Sequence, residues 1–308
     1  MLLLLAVALP SLFWEGGAET APLLKEAHIS HIAVPAARAG AWSHVAGITA
    51  EAADPARSIK VMTPAVNYRV DEASASTAPW IDSNGWRFLR NAGGRFYYDV
   101  PGTTAALAAA EAYVYGVDAL IHTDASGLKP LGEMLAFLGT LPPVDGTAPV
   151  NIGYEDDGSA QSGELMNLLV RRNLLFRVVP GPDPKLDLTV KFGSAEYPNS
   201  QKDPSILEQA VRSNLTDEKR LIRIYGSEVV IARLTGGKGH LRVHLLNYAA
   251  SARPVRGLRV SIQGMYPKHR IAAFRVPDAK LLDYDAKSGR TEFTIPNLRQ
   301  YTVIDLGR

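Results

Sequence analysis

Carboxylates recur at the ends of apolar runs in this chain, which is where a parallel α/β sheet keeps its ligand site. Phe96-Tyr-Tyr-Asp99-Val-Pro101 puts Asp99 beside two tyrosines at the end of one run. Ile121-His122-Thr123-Asp124-Ala-Ser-Gly127 puts a histidine, a threonine and Asp124 at the end of the next. On adjacent strands, Asp99 and Asp124 would come within the roughly 5–10 Å used by paired carboxylates that cleave a glycosidic bond. One would be held protonated by its setting while the other stays ionised. Asp124 has a second reading as the N-cap of the helix that begins near Leu128. Ile152-Gly-Tyr-Glu155-Asp156-Asp157-Gly158 closes a third run with three consecutive acids. A hard cation takes such oxygens, but a solvated loop accounts for them and the spaced set of a calcium loop is missing. No metal is expected, and Glu155 is kept as a ligand-contact candidate.

A second constellation is Pro79-Trp80-Ile-Asp82-Ser-Asn84-Gly85-Trp86-Arg87-Phe-Leu-Arg90, which holds two of the chain's four tryptophans. Flat apolar rings interleaved with carboxylate, amide and guanidinium groups suit a sugar, whose ring has an apolar face and a rim of hydroxyls. Trp80, Asp82, Asn84, Trp86 and Arg87 are the candidate binding residues. The alternative makes both tryptophans core anchors around an Asn84-Gly85 turn.

These groups need a scaffold. Short apolar runs at 59–62, 96–100, 119–123, 150–154, 176–179 and 186–190 read as strands. Helical spacing fills 103–115, 128–138 and 162–173 between them. That alternation predicts a parallel α/β region, either an open sheet or a partial barrel. Pro142-Pro143 with Asp145-Gly146 marks one break, and the polar stretch 197–204, followed by a short helix over 205–213, marks another. Beyond it lie eight strand-like runs, several alternating with period two as in Leu241-Arg-Val-His-Leu-Leu-Asn-Tyr248. Glycine-rich turns separate them, the pattern of an antiparallel β-sandwich. The expected partition is 1–20 a candidate signal peptide, 21–145 an α/β domain, 146–204 a second α/β piece and 205–308 the sandwich.

Composition narrows the chemistry. Over 308 residues, 46% hydrophobic and 21% charged content is that of a globular chain. Thirty-three Lys and Arg against 31 Asp and Glu leave a net charge of +2, so no basic field argues for nucleic acid. Cysteine is absent, which removes disulfides, thiolate metal sites and cysteine nucleophiles. The phosphate-binding glycine loops, His-Glu-x-x-His and Gly-x-Ser-x-Gly are missing too, and no cofactor is expected. Met1–Trp14 is an apolar run before the small residues Gly16, Gly17 and Ala18. It is too short to span a bilayer and resembles a secretory signal, which implies a periplasmic or secreted bacterial protein. The competing reading makes it an internal strand or helix. No integral membrane association is expected, and homo-oligomerisation stays open.

The C-terminal runs Leu241–Tyr248, Arg253-Pro-Val-Arg-Gly-Leu-Arg-Val260, Phe293-Thr-Ile-Pro296 and Tyr301-Thr-Val-Ile304 resemble the ending of multidomain glycoside hydrolases of the β-galactosidase type. Those proteins join a barrel, an amidotransferase-like domain and a β-sandwich. The resemblance implies that 146–204 is an amidotransferase-like piece, inactive as such without cysteine. It also implies a carbohydrate or glycoside ligand. A complete eight-stranded barrel takes about 200–250 residues, more than precede the Pro142-Pro143 break, so strands 96–99 and 119–124 would be the last of a reduced barrel. Three functions are carried forward: an exported glycoside-hydrolase-like protein, a noncatalytic binding or assembly module, and a fragment of a longer enzyme.

Overall fold

The computed structural model describes residues 9–68, 79–144, 146–198, 204–237, 239–249 and 253–308. Residues 1–8 of the leader-like run, Asp145 of the first break and 199–203 of the second lie outside them.

The first elements are β1 (Ser11–Phe13), α1 (Ala21–Glu26), β2 (His31–Val34), α2 (Ala36–Trp42), β3 (Thr49–Ala52) and β4 (Ile59–Val61). Next come β5 (Ala65–Tyr68), β6 (Pro79–Asp82), α3 (Gly85–Arg90), β7 (Arg95–Val100), α4 (Ala105–Tyr115), β8 (Asp118–Thr123) and α5 (Ala125–Gly139). They are followed by β9 (Ile152–Glu155), α6 (Ala160–Arg171), β10 (Phe176–Val178), β11 (Leu188–Lys191) and α7 (Pro204–Lys219). The strands β12 (Ile222–Tyr225), β13 (Val230–Gly237), β14 (His240–Asn247) and β15 (Val255–Gln263) open the C-terminal part. β16 (Lys268–Ala273), β17 (Leu282–Lys287), β18 (Arg290–Leu298) and β19 (Tyr301–Gly307) complete it. The chain divides into two compact units, 1–65 with 91–143 and 66–90 with 144–308.

The first unit is a six-stranded parallel sheet in the order β3-β2-β1-β8-β7-β4. The chain steps β4, β7, β8 in one direction and then β1, β2, β3 onward in the same direction. Right-handed crossovers therefore place α1, α2 and α4 on one face. A doubly wound sheet reverses direction and carries helices on both faces; among the described residues of this unit, the sheet does neither. First strand pairs with last, so the order is that of a barrel opened between β3 and β4. Of the two expected alternatives, the partial barrel has this order.

The two faces have different jobs. On the helix side, Tyr98 donates to Glu111 of α4 at 2.7 Å, both groups fully buried. Helix α4 has alanine, the strongest helix former, at six of its eleven positions and ends on Gly116 at φ 64, the left-handed cap that glycine accepts without strain. On the other side Phe13, Ala33, Ala53 and Leu120 pack together, with Tyr97 against them.

Strand β1 falls inside the segment read as a signal. Leu12 and Phe13 are 0% and 2% exposed, between β2 and β8. Cleavage at the small residues 16–18 would remove the middle of the sheet. A parallel strand buried on both faces reads as a continuous apolar run, the same pattern as the apolar core of a signal. Leu12→Asp is expected to destabilise the protein by about 3–5 kcal/mol, the cost of an unpaired buried charge. A urea titration checks this, and an unchanged midpoint would mean β1 is dispensable.

The second unit has two parts. A three-stranded parallel sheet, β10-β9-β11, carries α6 and α7, and α3 packs on α6 and β10. Two boundaries differ from the expected partition. Residues 66–90 belong with this unit, because α3 finds its apolar partners there. Helix α7 packs on α6 and β11, so it completes the small α/β part instead of opening the sandwich. It is also longer than the expected 205–213, with a break at Thr216.

The remainder is a sandwich of two antiparallel sheets, β12-β15-β18-β17 and β13-β14-β19-β16. Alternate residues face inward: Leu258, Val260, Phe293 and Ile295 from one sheet meet Val243, Leu245, Ile304 and Leu306 from the other, all at most 2% exposed. Each contributes about 1.5–3 kcal/mol by leaving water. The two parts of this unit are stitched by Asn173, at the end of α6, whose amide oxygen accepts from Ala232 N at 2.6 Å while its nitrogen donates to Val230 O at 3.3 Å.

Candidate active site

Period-two geometry puts residues i and i+2 of a strand on the same face. On the helix-free face of the first unit, Phe13 leads to Glu15, Tyr97 to Asp99, and Leu120 to His122. All three second members lie at the carboxyl ends of neighbouring strands. His122 Nδ1 and Asp99 Oδ1 are 2.9 Å apart, and His122 Nε2 stands 3.9 Å from Glu15 Oε2. Two carboxylates thus flank one imidazole, which keeps them within the roughly 5–10 Å over which paired glycosidase carboxylates act.

The floor of this cluster is aromatic. Tyr97 stacks on the His122 ring with centroids 6.5 Å apart, and Phe13 meets both rings edge-on. Burial, and then the charges of Asp99 and Glu15, push the Tyr97 hydroxyl up to about 12, so it stays a neutral donor. The side chains remain open to solvent above this floor: His122 is 30% exposed, Asp99 52% and Glu15 65%. A carboxylate, an imidazole and a second carboxylate in line can exchange protons with a bound substrate and with one another.

Asp124 sits elsewhere. Its Oδ1 accepts from Ser126 N at 2.8 Å and from the Ser126 hydroxyl, and its Oδ2 accepts from Gly102 N at 3.0 Å. The Ser126 hydroxyl and then these backbone donors hold its carboxyl below the usual range. This carboxylate caps α5. Gly102 makes the brace feasible, since a Cβ there would lie 2.2 Å from Ser126 Oγ and 2.5 Å from Gly127 N. The register pairs Asp99 with His122, leaving Asp124 two residues further along, past the strand end. Asp99 thus has His122 as its partner, while Asp124 has Ser126 and Gly102. Asp124→Ala is expected to lower the melting temperature, as the loss of a helix cap does, with turnover unchanged; thermal melting and a rate measurement check the two halves.

The tryptophan segment lies in the second unit. Trp80 is on β6, and the Arg171 guanidinium carbon stands 3.9 Å from its ring centroid while Arg171 Nη2 donates to Pro79 O at 3.1 Å. Asp82 accepts from the Trp80 indole and from Asn67; burial outweighs these contacts and nearby Arg171 and Arg87, and raises its carboxyl. Asn84 is fully buried at the start of α3, where its backbone oxygen accepts from Arg87 N at 2.8 Å and Phe88 N at 3.1 Å. Ser83 beside it meets Tyr248 OH at 3.2 Å.

Trp86 has the guanidinium carbons of Arg87 and Arg90 at 4.3 and 5.0 Å from its ring centroid. It rests on Gly163 of α6, where a Cβ would come within 2.7 Å of the ring. Arg90 grips Asp156 with two bonds of 2.7 Å. Glu155, the remaining candidate, pairs with Lys191 at 3.0 Å across β9 and β11. Both indoles thus carry a guanidinium group, Trp80 from Arg171 and Trp86 from Arg87 and Arg90.

Glu15 and the placement of His122 between two carboxylates are what the sequence did not reveal. Glu15 stood inside the apparent signal, while His122 stood in plain view without a known register partner.

No family model matches the chain, and no curated protein matches it. Among solved structures, the fold is similar to alpha-L-fucosidase isoenzyme 2 from Paenibacillus thiaminolyticus, with TM-score 0.55 and 8% identity over 70% of this chain and 60% of that one. A beta-galactosidase from Bacillus circulans sp. alkalophilus aligns with TM-score 0.42 and 9% identity over 67% of this chain and 52% of that one. A beta-galactosidase from Rahnella sp. R3 aligns with TM-score 0.39 and 8% identity over 85% and 64%. The fold is glycoside-hydrolase-like. The chain spans less than two thirds of the length of each of these three proteins. Among the described residues, no helix is long and apolar enough to cross a membrane.

Proposed function

We propose that this chain is a carbohydrate-active protein that cleaves a glycoside at the helix-free face of its parallel sheet. One observation carries the reading: Glu15, His122 and Asp99 stand in line at the carboxyl ends of three adjacent strands, over an aromatic floor. One carboxyl group gives its proton to the leaving oxygen, and the other activates water or attacks the anomeric carbon. His122, bonded to Asp99, orients that carboxylate, and the attacking water gives up its proton to a carboxylate, which restores the proton lost to the leaving oxygen. Tyr97, a neutral donor beside them, offers its hydroxyl to the sugar.

A noncatalytic, carbohydrate-binding reading takes Trp80, Asp82, Asn84, Trp86 and Arg87 as the ligand contacts, supported by the arginines that lie against both indoles. Under it the second unit holds the glycan and the first is a platform. The small parallel sheet is proposed as an amidotransferase-like piece; its β10-β9-β11 order with α6 and the lack of any cysteine fit a structural copy.

A panel of chromogenic glycosides and a glycan-binding screen, run in parallel on wild type and Trp86→Ala, separates the two. Turnover that survives Trp86→Ala supports the catalytic reading. Binding without turnover that Trp86→Ala abolishes supports the other, and failure of every glycan to bind or react contradicts both.

A further inference from the structure

The β-sandwich has a cavity of about 290 Å³ lined by Pro254, Phe274, Arg275, Arg299 and Gln300. We propose that it binds a sugar carboxylate, a uronic-acid unit of a larger glycan, apart from the cluster around Asp99. Its volume is at the lower end for a ligand site, enough for one ring-sized group. The described lining offers two guanidinium groups and no carboxylate. Arginine forks match a carboxylate two bonds at a time, a geometry that selects planar anions over hydroxyl groups. Phe274, 3% exposed, and Pro254 supply the apolar wall, while the Gln300 amide offers a donor and an acceptor to ring hydroxyls.

The walls are held in place before any ligand arrives. Asn247, fully buried, donates through its side chain to Arg299 O at 2.7 Å, and its backbone N donates to Gln300 O at 2.8 Å. Phe274 N donates to Tyr301 O at 2.9 Å on the facing strand. Arg275 adopts φ 57, a left-handed conformation that a non-glycine residue keeps only where its surroundings enforce it. Its guanidinium carbon lies 4.9 Å from the Phe274 ring centroid, next to the apolar wall. A fixed backbone loses little freedom on binding.

The choice of a sugar as the body of the ligand rests on the glycoside reading; the selection of a carboxylate does not. Isothermal titration of the full chain with glucuronate, glucose and acetate tests both parts. Glucuronate is expected to bind about tenfold or more tightly than either control, since only it satisfies the guanidinium pair and the apolar wall together. Arg275→Gln and Arg299→Gln should each weaken it by a similar factor; both side chains are exposed, so the melting temperature should hold. Asp99→Asn should leave glucuronate binding intact, which keeps this result independent of catalysis. Equal binding of glucose overturns the anion selection, and equal binding of acetate overturns the sugar. Glucuronate binding that is absent, or unchanged in both arginine variants, overturns the site.

Discussion

Asp99→Asn is expected to lower glycoside turnover by about a thousandfold, within the range for removing a general acid or base, while leaving stability nearly untouched. Asparagine keeps the shape and still presents an oxygen to His122, so the ring at 2.9 Å stays in place. What disappears is the charge and the exchangeable proton. Asp99 is 52% exposed on a face that carries no helix, so little packing depends on it. The contrast with Asp124→Ala is the informative part. Asp124 braces α5 and Gly102, so its loss reads out in stability and not in rate. Reversed outcomes, with the rate following Asp124, would move the chemistry to the helix terminus.

The second large effect concerns how α3 is held. Asp156 is clamped by Arg90 and also accepts from Ser162 Oγ at 2.7 Å and Gly158 N at 3.1 Å. The pair is largely out of water, with Arg90 18% and Asp156 9% exposed. Asp156→Ala should therefore cost about 2–4 kcal/mol, less than a fully buried pair and far more than a surface one. It leaves Arg90 with only the Ser159 carbonyl among its named oxygen partners, at 3.0 Å. Burial alone would raise the Asp156 carboxyl, but the Arg90, Ser162 and Gly158 bonds outweigh it and hold it below the ordinary range. A group depressed on folding stabilises above its unfolded pKa, and that contribution fades as pH falls through the folded value. Wild type should lose stability on the acid side of an ordinary aspartate, and Asp156→Ala should lose less there. Urea titrations at several acidic pH values measure both, and parallel acid slopes would contradict the account.

Legibility differed from one part of the chain to another for physical reasons. All eight sandwich strands stood out, because turn signals separate them and several alternate with period two, as Leu241–Tyr248 does. The strands β1 to β3 did not. They are only three or four residues long, and the buried β1 reads as an unbroken apolar run that is also the signature of an export signal. Residues 66–90 escaped the expected partition because packing, not sequence order, sets unit membership: α3 follows the sheet's own strand β4 yet packs on α6.

The site was half legible for a related reason. Asp99 and His122 were visible as strand-end residues, but facing pairs depend on register. The register puts Asp99 opposite His122, so Asp124, although also at a strand end, turns into the helix. The tryptophan segment reads in sequence as rings, amides and charges, and both indoles meet arginines in the fold. Sequence could not show that Arg171, Arg87 and Arg90 would come to lie against the indoles.

A crystal structure of Asp99→Asn with a bound oligosaccharide substrate addresses the central claim most directly. The account predicts a sugar ring on the helix-free face, with Glu15, Asn at position 99 and Tyr97 within hydrogen-bond distance of its glycosidic oxygen or hydroxyls. A glycan held only around Trp80 and Trp86, with the Glu15–His122 cluster making no contact with sugar, would contradict it.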